Sequence, residues 1–247
     1  MNTNETYKRY FDYRRVNLPN RRESVLPEYL RQVLTEVDRS ARILDVGCGY
    51  GHIMFALENE GFNDVSGVDV SEQAVEYCKS QGLDVQHVDV MAWKPAEKYD
   101  FIVMSHVLEH LPKDDIVPIL SKIRQDILSV QGKLCLMVPN AQSNTGCYWA
   151  YEDFTHNTLF TGGSLLFVLR MAGFDNVEFL DIDGLSHLDK NSFEYHKRKL
   201  LLELYITNKL FWNKITGSSY HRSSPLIFSF EIKALASPYA YNDLSKV

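Results

Sequence analysis

The stretch Ile43–Leu57, ILDVGCGYGHIMFAL, decides the fold. Its apolar start reads as a strand, its centre as a glycine turn and its end as a helix with Ile53, Phe55, Ala56 and Leu57 on an apolar side. Glycine has no side chain to keep a ligand away from the backbone, so such a turn suits a close approach. The spacing is Gly47-x-Gly49-x-Gly51. A dinucleotide fingerprint would place its last glycine where His52 stands, and a phosphate-binding P-loop would continue with Lys and Ser or Thr. Neither pattern is met, so the turn is not tuned to hold a pyrophosphate.

Working outward, Val65–Val70, Leu83–Val90, Tyr99–Met104 and Lys133–Val138 read as further strands, alternating with helices over His52–Asn59, Ala74–Lys79 behind the cap Ser71, and Asp114 or Asp115 to about Val130. Strands alternating with helices predict an α/β fold: a mostly parallel sheet with helices on both faces and right-handed crossovers. After Pro139 the pattern changes. Residues 140–160 are polar and aromatic with no clear period, Ser164–Ala172 is helical with Gly173 ending it, Val177–Ile182 is a sixth strand, residues 193–216 are helical, and Leu226–Ala236 is a last long strand.

Two carboxylates sharpen the reading. Asp69 ends the second predicted strand, where it can accept both hydroxyls of a ribose. Asp89 ends the third and is followed by Val90 and Met91, a place for an acceptor to meet an exocyclic amine beside apolar side chains. Ser105–His110 follows the fourth. All fall at carboxyl ends of neighbouring parallel strands, the crevice where open α/β sheets bind ligands.

Together these segments resemble the class I S-adenosylmethionine-dependent methyltransferases. ILDVGCGYG matches the first motif of that superfamily, GVDVSEQAVEYCK the second, HVDVMAW the third and YDFIVMSHVLEHLP the fourth. The resemblance implies a Rossmann-like seven-stranded sheet with an antiparallel last strand, and one domain. Residues 1–40 would be an N-terminal cap, 41–139 the cofactor-binding core, and 140–247 the acceptor-side half with a helical insertion at about 187–216. It implies S-adenosylmethionine as cofactor. Gly47, Cys48, Gly49 and Gly51 would line its methionine part, Asp45 would orient the loop from beneath, and Asp69 with Val70 would hold the ribose. Asp89 and Val90 would face the adenine, with Ser105 bordering the site. An arginine within Tyr7–Arg22 would meet the methionine carboxylate.

The acceptor is less direct. The Pro-Pro-aromatic motif of relatives that methylate base amino groups is absent from SHVLEHLP, and no Pro-Cys nucleophile for cytosine chemistry occurs, so nucleic acid is disfavoured. The segment YEDFTHNTLFTGGSLLFVLRMAGF resembles methyltransferases encoded with bacterial surface-polysaccharide enzymes. That likeness implies O-methylation of a sugar or glycan-precursor hydroxyl, phosphorylated or lipid-linked, with His156 as general base and Asp153 orienting it. The alternatives are a small aromatic or quinone hydroxyl methylated through His110, or a cofactor-binding module without transfer activity. Some quinone O-methyltransferases hold a divalent metal near Glu109 and His110, but His106 stands where a third carboxylate would help, and no metal is expected.

Composition fits a globular chain: 247 residues, 45% hydrophobic and 23% charged, with a net charge of −6. The charge is uneven, at +3 over residues 1–42, −13 over 43–186 and +4 over 187–222. The acidic middle coincides with the cofactor-binding sheet, and the basic flanks border the acceptor side, where an anionic acceptor is expected. The four cysteines form no CxxC pair, and the N-terminus lacks the apolar stretch of a secretory signal, so a cytoplasmic location is expected. The helix over 193–216 combines an apolar side with Lys197, Arg198, Lys199, Lys209 and Lys214, leaving open a homodimer contact, a roof on the acceptor pocket or peripheral membrane contact.

Overall fold

The computed structural model describes residues 17–221 and 224–238. Seven strands form one sheet: β1 (Arg42–Val46), β2 (Asp64–Asp69), β3 (Asp84–His87), β4 (Tyr99–Ser105), β5 (Leu128–Pro139), β6 (Asn176–Leu180) and β7 (Glu231–Ser237). Their order is β3-β2-β1-β4-β5-β7-β6. The β1, β2, β3, β4 and β5 pairings are parallel, and β7 runs antiparallel to both β5 and β6. The helices are α1 (Glu28–Leu34), α2 (His52–Asn59), α3 (Glu72–Ser80), α4 (Lys113–Lys122), α5 (Gly146–Glu152), α6 (Gly162–Met171) and α7 (Phe193–Ile215). The expected Rossmann-like sheet with an antiparallel last strand is therefore the architecture found.

Alternation along the strands divides the core into two layers. Ile43, Phe101, Val103 and Cys135 pack with α1, α2 and α3 through Leu30, Phe55 and Val75. Their neighbours Leu44, Ile102, Met104 and Leu134 pack with α4 and α6 through Ile119, Leu120 and Leu165. Successive strand side chains point to opposite faces, so a strand apolar at every position must be covered on both. Each fully buried Leu, Ile or Phe contributes about 1.5–3 kcal/mol, which makes this double layer the main source of stability.

Several boundaries differ from the sequence reading. The fourth helix does not reach Val130. It passes at Lys122 into a π-helical turn, Ile123–Ile127, and Leu128 already begins β5. Gly132 lies inside that strand, where β5 and β4 shift register and a Cβ would come within 2.7 Å of the Leu128 side chain. The third strand stops at His87, short of Asp89. The last strand starts at Glu231, because residues 227–230 bond to Asn140 instead of a ladder: its side-chain amide donates to the Ile227 and Ser229 carbonyls at 2.9 and 2.8 Å, and its backbone N–H to Phe230 at 2.9 Å. Residues 140–160, without clear period in the sequence, hold the short helix α5.

Candidate active site

The strand order reverses between β1 and β4, which opens a crevice at their carboxyl ends. The glycine loop fills it. Gly47, Gly49 and Gly51 all have left-handed φ values, of 72°, 53° and 79°. At two of them the need for glycine is also steric: a Cβ on Gly47 would lie 2.4 Å from Val107 Cγ2, and one on Gly51 2.5 Å from Leu83 Cδ1. The amides of Gly47 and Cys48 both donate to the Val68 carbonyl, at 2.8 and 3.2 Å. Gly51 caps α2 without a side-chain acceptor, so the helix presents the unsatisfied first-turn amides that suit an anionic group.

Asp69 joins the two halves of the crevice. One carboxylate oxygen accepts from the Gly49 amide and the other from the Ser71 amide, both at 2.8 Å. Burial pushes its pKa up, against these amide bonds that pull it down. Asp45, at the end of β1, is almost fully buried, and burial, reinforced by the nearby Asp69 charge, pushes its carboxyl up to about 7. Beyond β2, Val70 is exposed, and so is Met91. Asp89 is exposed and lies in the turn after β3, where Oδ1 accepts from the Met91 amide at 2.8 Å, and Val90 beside it is half-buried. Apolar side chains at the surface beside two carboxylates fit a nucleoside. The Cys48 side chain is buried, with its sulfur 2.9 Å from the position a Gly67 Cβ would take, so Cys48 meets a ligand only through its backbone. Ser105, half-buried, ends β4. Of the arginines within Tyr7–Arg22, Arg21 bonds Glu58 at 2.5 Å, and Arg9, Arg14 and Arg15 lie outside the described residues.

The residues after β4 form a second cluster. His106 has a left-handed φ of 55°, which turns its ring between two carboxylates: Nδ1 meets Glu109 Oε1 at 2.9 Å and Nε2 meets Glu231 Oε1 at 3.1 Å. Burial lowers its pKa, but the two carboxylates outweigh burial and hold it at about 9, so it is an imidazolium at neutral pH. Glu109 is fully buried, and its Oε2 has no hydrogen-bond partner among the described residues.

A strap closes over this turn. The Asn157 amide donates to the Glu109 carbonyl, and the Asn157 side chain to the His110 carbonyl, both at 2.7 Å. It carries Asp153, Thr155 and His156 to the site. The Thr155 hydroxyl donates to Asp153 Oδ1 at 2.6 Å, and its oxygen lies 2.8 Å from His110 Nδ1. His156 Nδ1 donates to the Trp149 carbonyl at 2.7 Å, and its Nε2 is 3.9 Å from Asp153 Oδ2. The two rings meet edge to face with centroids 4.8 Å apart. Glu109, His110 and His156 each offer an atom able to bind a metal, all within 4.8 Å of one another. The roles of Glu231 and Thr155 were not read from the sequence. No local pattern marks Glu231, which reaches His106 across the β5–β7 pairing, and Thr155 is an ordinary loop threonine until the strap folds back.

A family model described as methyltransferase domain matches residues 19–179. The chain belongs to that family. It is a class I S-adenosylmethionine-dependent methyltransferase. A solved S-adenosylmethionine-dependent methyltransferase from Archaeoglobus fulgidus superposes with a TM-score of 0.63 at 22% identity, covering 92% of this chain and 98% of that one. A complex of DhpI with S-adenosylhomocysteine superposes at 0.57 with 14% identity, covering 96% and 95%. Among curated relatives, a ubiquinone biosynthesis O-methyltransferase of Bordetella avium is 33% identical over 84 residues, which is 31% of this methyltransferase and 34% of that protein. The one from Coxiella burnetii is 33% identical over 93 residues, or 34% and 38%. The methyltransferase thus spans about a third of the length of these relatives.

Proposed function

We propose that the enzyme methylates a hydroxyl oxygen and that His110 is the general base. The hydrogen-bond chain from His110 through Thr155 to Asp153 carries this reading. A hydroxyl has one proton, and Thr155 gives it to Asp153, so its oxygen accepts from the Nδ1–H of His110. In the neutral ring that leaves the lone pair on Nε2, the state a base requires. Burial lowers the pKa of His110, which keeps the ring neutral at pH 7. After the ring takes a proton, Asp153 stabilises the imidazolium through the hydroxyl. His156, the base expected from the sequence, packs against His110 and supports its orientation.

S-adenosylmethionine supplies, when bound, an electrophilic methyl group on a positively charged sulfur. Gly47, Cys48, Gly49 and Gly51 line its methionine part with backbone, Asp45 supports the loop, Asp69 and Val70 hold the ribose, Asp89 and Val90 face the adenine, and Ser105 borders the reacting end. What remains for the protein is to hold the acceptor oxygen in line and to take its proton.

The acceptor is a small aromatic or quinol hydroxyl, a reading favoured by the likeness to the ubiquinone biosynthesis O-methyltransferases of Bordetella avium and Coxiella burnetii. A sugar or glycan-precursor hydroxyl is the second reading, favoured by the segment from Asp153 to Phe160, which forms the strap over His110. Release of S-adenosylhomocysteine, assayed against catechols, quinols and sugar nucleotides, decides between them. His110→Ala should lower kcat by about 100-fold to 10,000-fold. Activity should survive chelation. Loss with EDTA and recovery with a divalent cation would replace the base by a metal at Glu109, His110 and His156.

A further inference from the structure

The long helix α7 touches the body with one side only. Tyr205 donates to the Asn144 side chain at 2.6 Å, Lys209 donates to the Gln142 carbonyl at 3.0 Å, and both lie against the Phe228 ring. At roughly 100° per residue, Phe193, Leu200, Leu204, Phe211 and Ile215 share one stripe on the side turned away from these contacts. They are 81%, 57%, 59%, 55% and 62% exposed. No residue of the helix is buried. A contiguous apolar stripe facing water marks a contact surface.

Charge decides what covers it. The helix carries five Lys or Arg against Glu194 and Glu203, for +3, on a chain whose net charge is −6. A second copy would bring the same basic helix against the first and set like charges along the seam. An anionic bilayer is complementary. Trp212 beside the stripe and Lys197 and Lys214 at its margins are the composition of a helix lying in a lipid interface, with cations among headgroups and aromatic rings at the acyl boundary. Among the described residues no helix is long and apolar enough to cross a membrane, which leaves the lipid surface.

We propose that α7 docks the enzyme on an anionic lipid bilayer through the Phe193–Ile215 stripe. The helix stands on residues 142–144, which lead into α5 and the strap carrying Asp153, Thr155 and His156. Docking therefore sets the acceptor side of the site near the lipid, and Phe154 of that strap is itself 95% exposed. The surface stands whichever acceptor hydroxyl the enzyme uses.

Flotation of the full chain with vesicles tests the proposal. Binding is expected on phosphatidylcholine mixed with phosphatidylglycerol, and at least about tenfold weaker on pure phosphatidylcholine or at high salt. The double variant Leu204→Ser/Phe211→Ser should lose at least about tenfold of this binding while keeping the wild-type affinity for S-adenosylmethionine by calorimetry, which shows that it folds. Wild-type protein that ignores the anionic vesicles would overturn the proposal. So would a double variant that binds them as well as wild type, or a solution dimer that the same two substitutions dissociate.

Discussion

Glu231 on β7 accepts a hydrogen bond from His106 Nε2 at 3.1 Å across 125 residues of sequence. With Glu109 on the other nitrogen, it makes His106 a cation wedged beside the proposed base, and it ties the antiparallel strand to the site. The two carboxylates raise the folded pKa to about 9, above the ordinary histidine value of 6.5. A raised cationic group contributes stability that is complete below its unfolded pKa and disappears as pH rises through the folded one. Glu231→Gln should therefore bring the NMR titration of His106 down from about 9. Its stability loss should be present near pH 6.5 and vanish above pH 9. The His106 side chain is 40% exposed, so solvent screening limits that loss to about 1 kcal/mol.

Asp69→Ala should cripple cofactor binding. It removes the carboxylate that orders both the Gly49 and Ser71 amides as well as the expected ribose acceptor. Hydrogen bonds to an ionised group contribute about 1.5–3 kcal/mol each, so calorimetry should show S-adenosylmethionine binding weakened by roughly 100-fold or more. Unchanged affinity would remove Asp69 from the site.

Asp45 makes the fold pH-sensitive in the opposite sense from an ion-paired carboxylate. Its folded pKa, about 7, lies above its ordinary value of 3.8, so the folded state binds the extra proton. Stability then falls as pH rises from 3.8 to about 7 and stays low above it. Asp45→Asn should raise stability at pH 8 by roughly 2–4 kcal/mol and by much less at pH 5. Thermal unfolding of the cofactor-free protein at both pH values reads this directly.

Thr155→Val should separate position from chemistry. The valine keeps the shape and removes the hydroxyl between His110 and Asp153. Expected are a kcat about 10-fold to 100-fold lower, little change in KM, and a displaced acidic limb of the pH profile, with Thr155→Ser restoring all three. Nitrogen-15 NMR of His110 should show Nδ1–H in wild type and a mixture of tautomers in the valine variant. Equal activity of Val and Ser variants would sink the relay.

Lys233 and Asp181 form a buried pair, with Nζ and Oδ2 2.5 Å apart and side chains 8% and 3% exposed. Removing one partner strands a charge, so Lys233→Met should cost about 3–5 kcal/mol. The double variant Lys233→Met/Asp181→Asn should recover much of that in denaturant titrations.

The cofactor half was legible because its information is local. Gly47, Gly49 and Gly51 announce left-handed turns, the run Tyr99–Met104 announces a doubly covered strand, and Asp69 closes a strand two residues before the cap Ser71. Propensity, periodicity and capping act within a few residues, so a sequence displays them. Boundaries failed where distant groups intervened, as at Phe230, whose carbonyl bonds the amide of Asn140, and around Gly132, where β5 shifts register against β4. The acceptor half was legible only as candidate side chains.

The sequence by itself determined the alternation of strands and helices from β1 to β5, the glycine loop and the acids that follow it, because those depend on neighbours along the chain. Tertiary structure alone set Asp153 within reach of both histidines, of His110 through the Thr155 hydroxyl and of His156 Nε2 at 3.9 Å. His156 is nearer in sequence, yet the strap bonds Thr155 to His110 and turns His156 Nδ1 to a carbonyl. It alone set Glu231 against His106 and left the α7 stripe facing outward. Hydrogen bonds and burial depend on distances in space, and chain separation carries no information about which of two plausible partners the fold brings within about 3 Å.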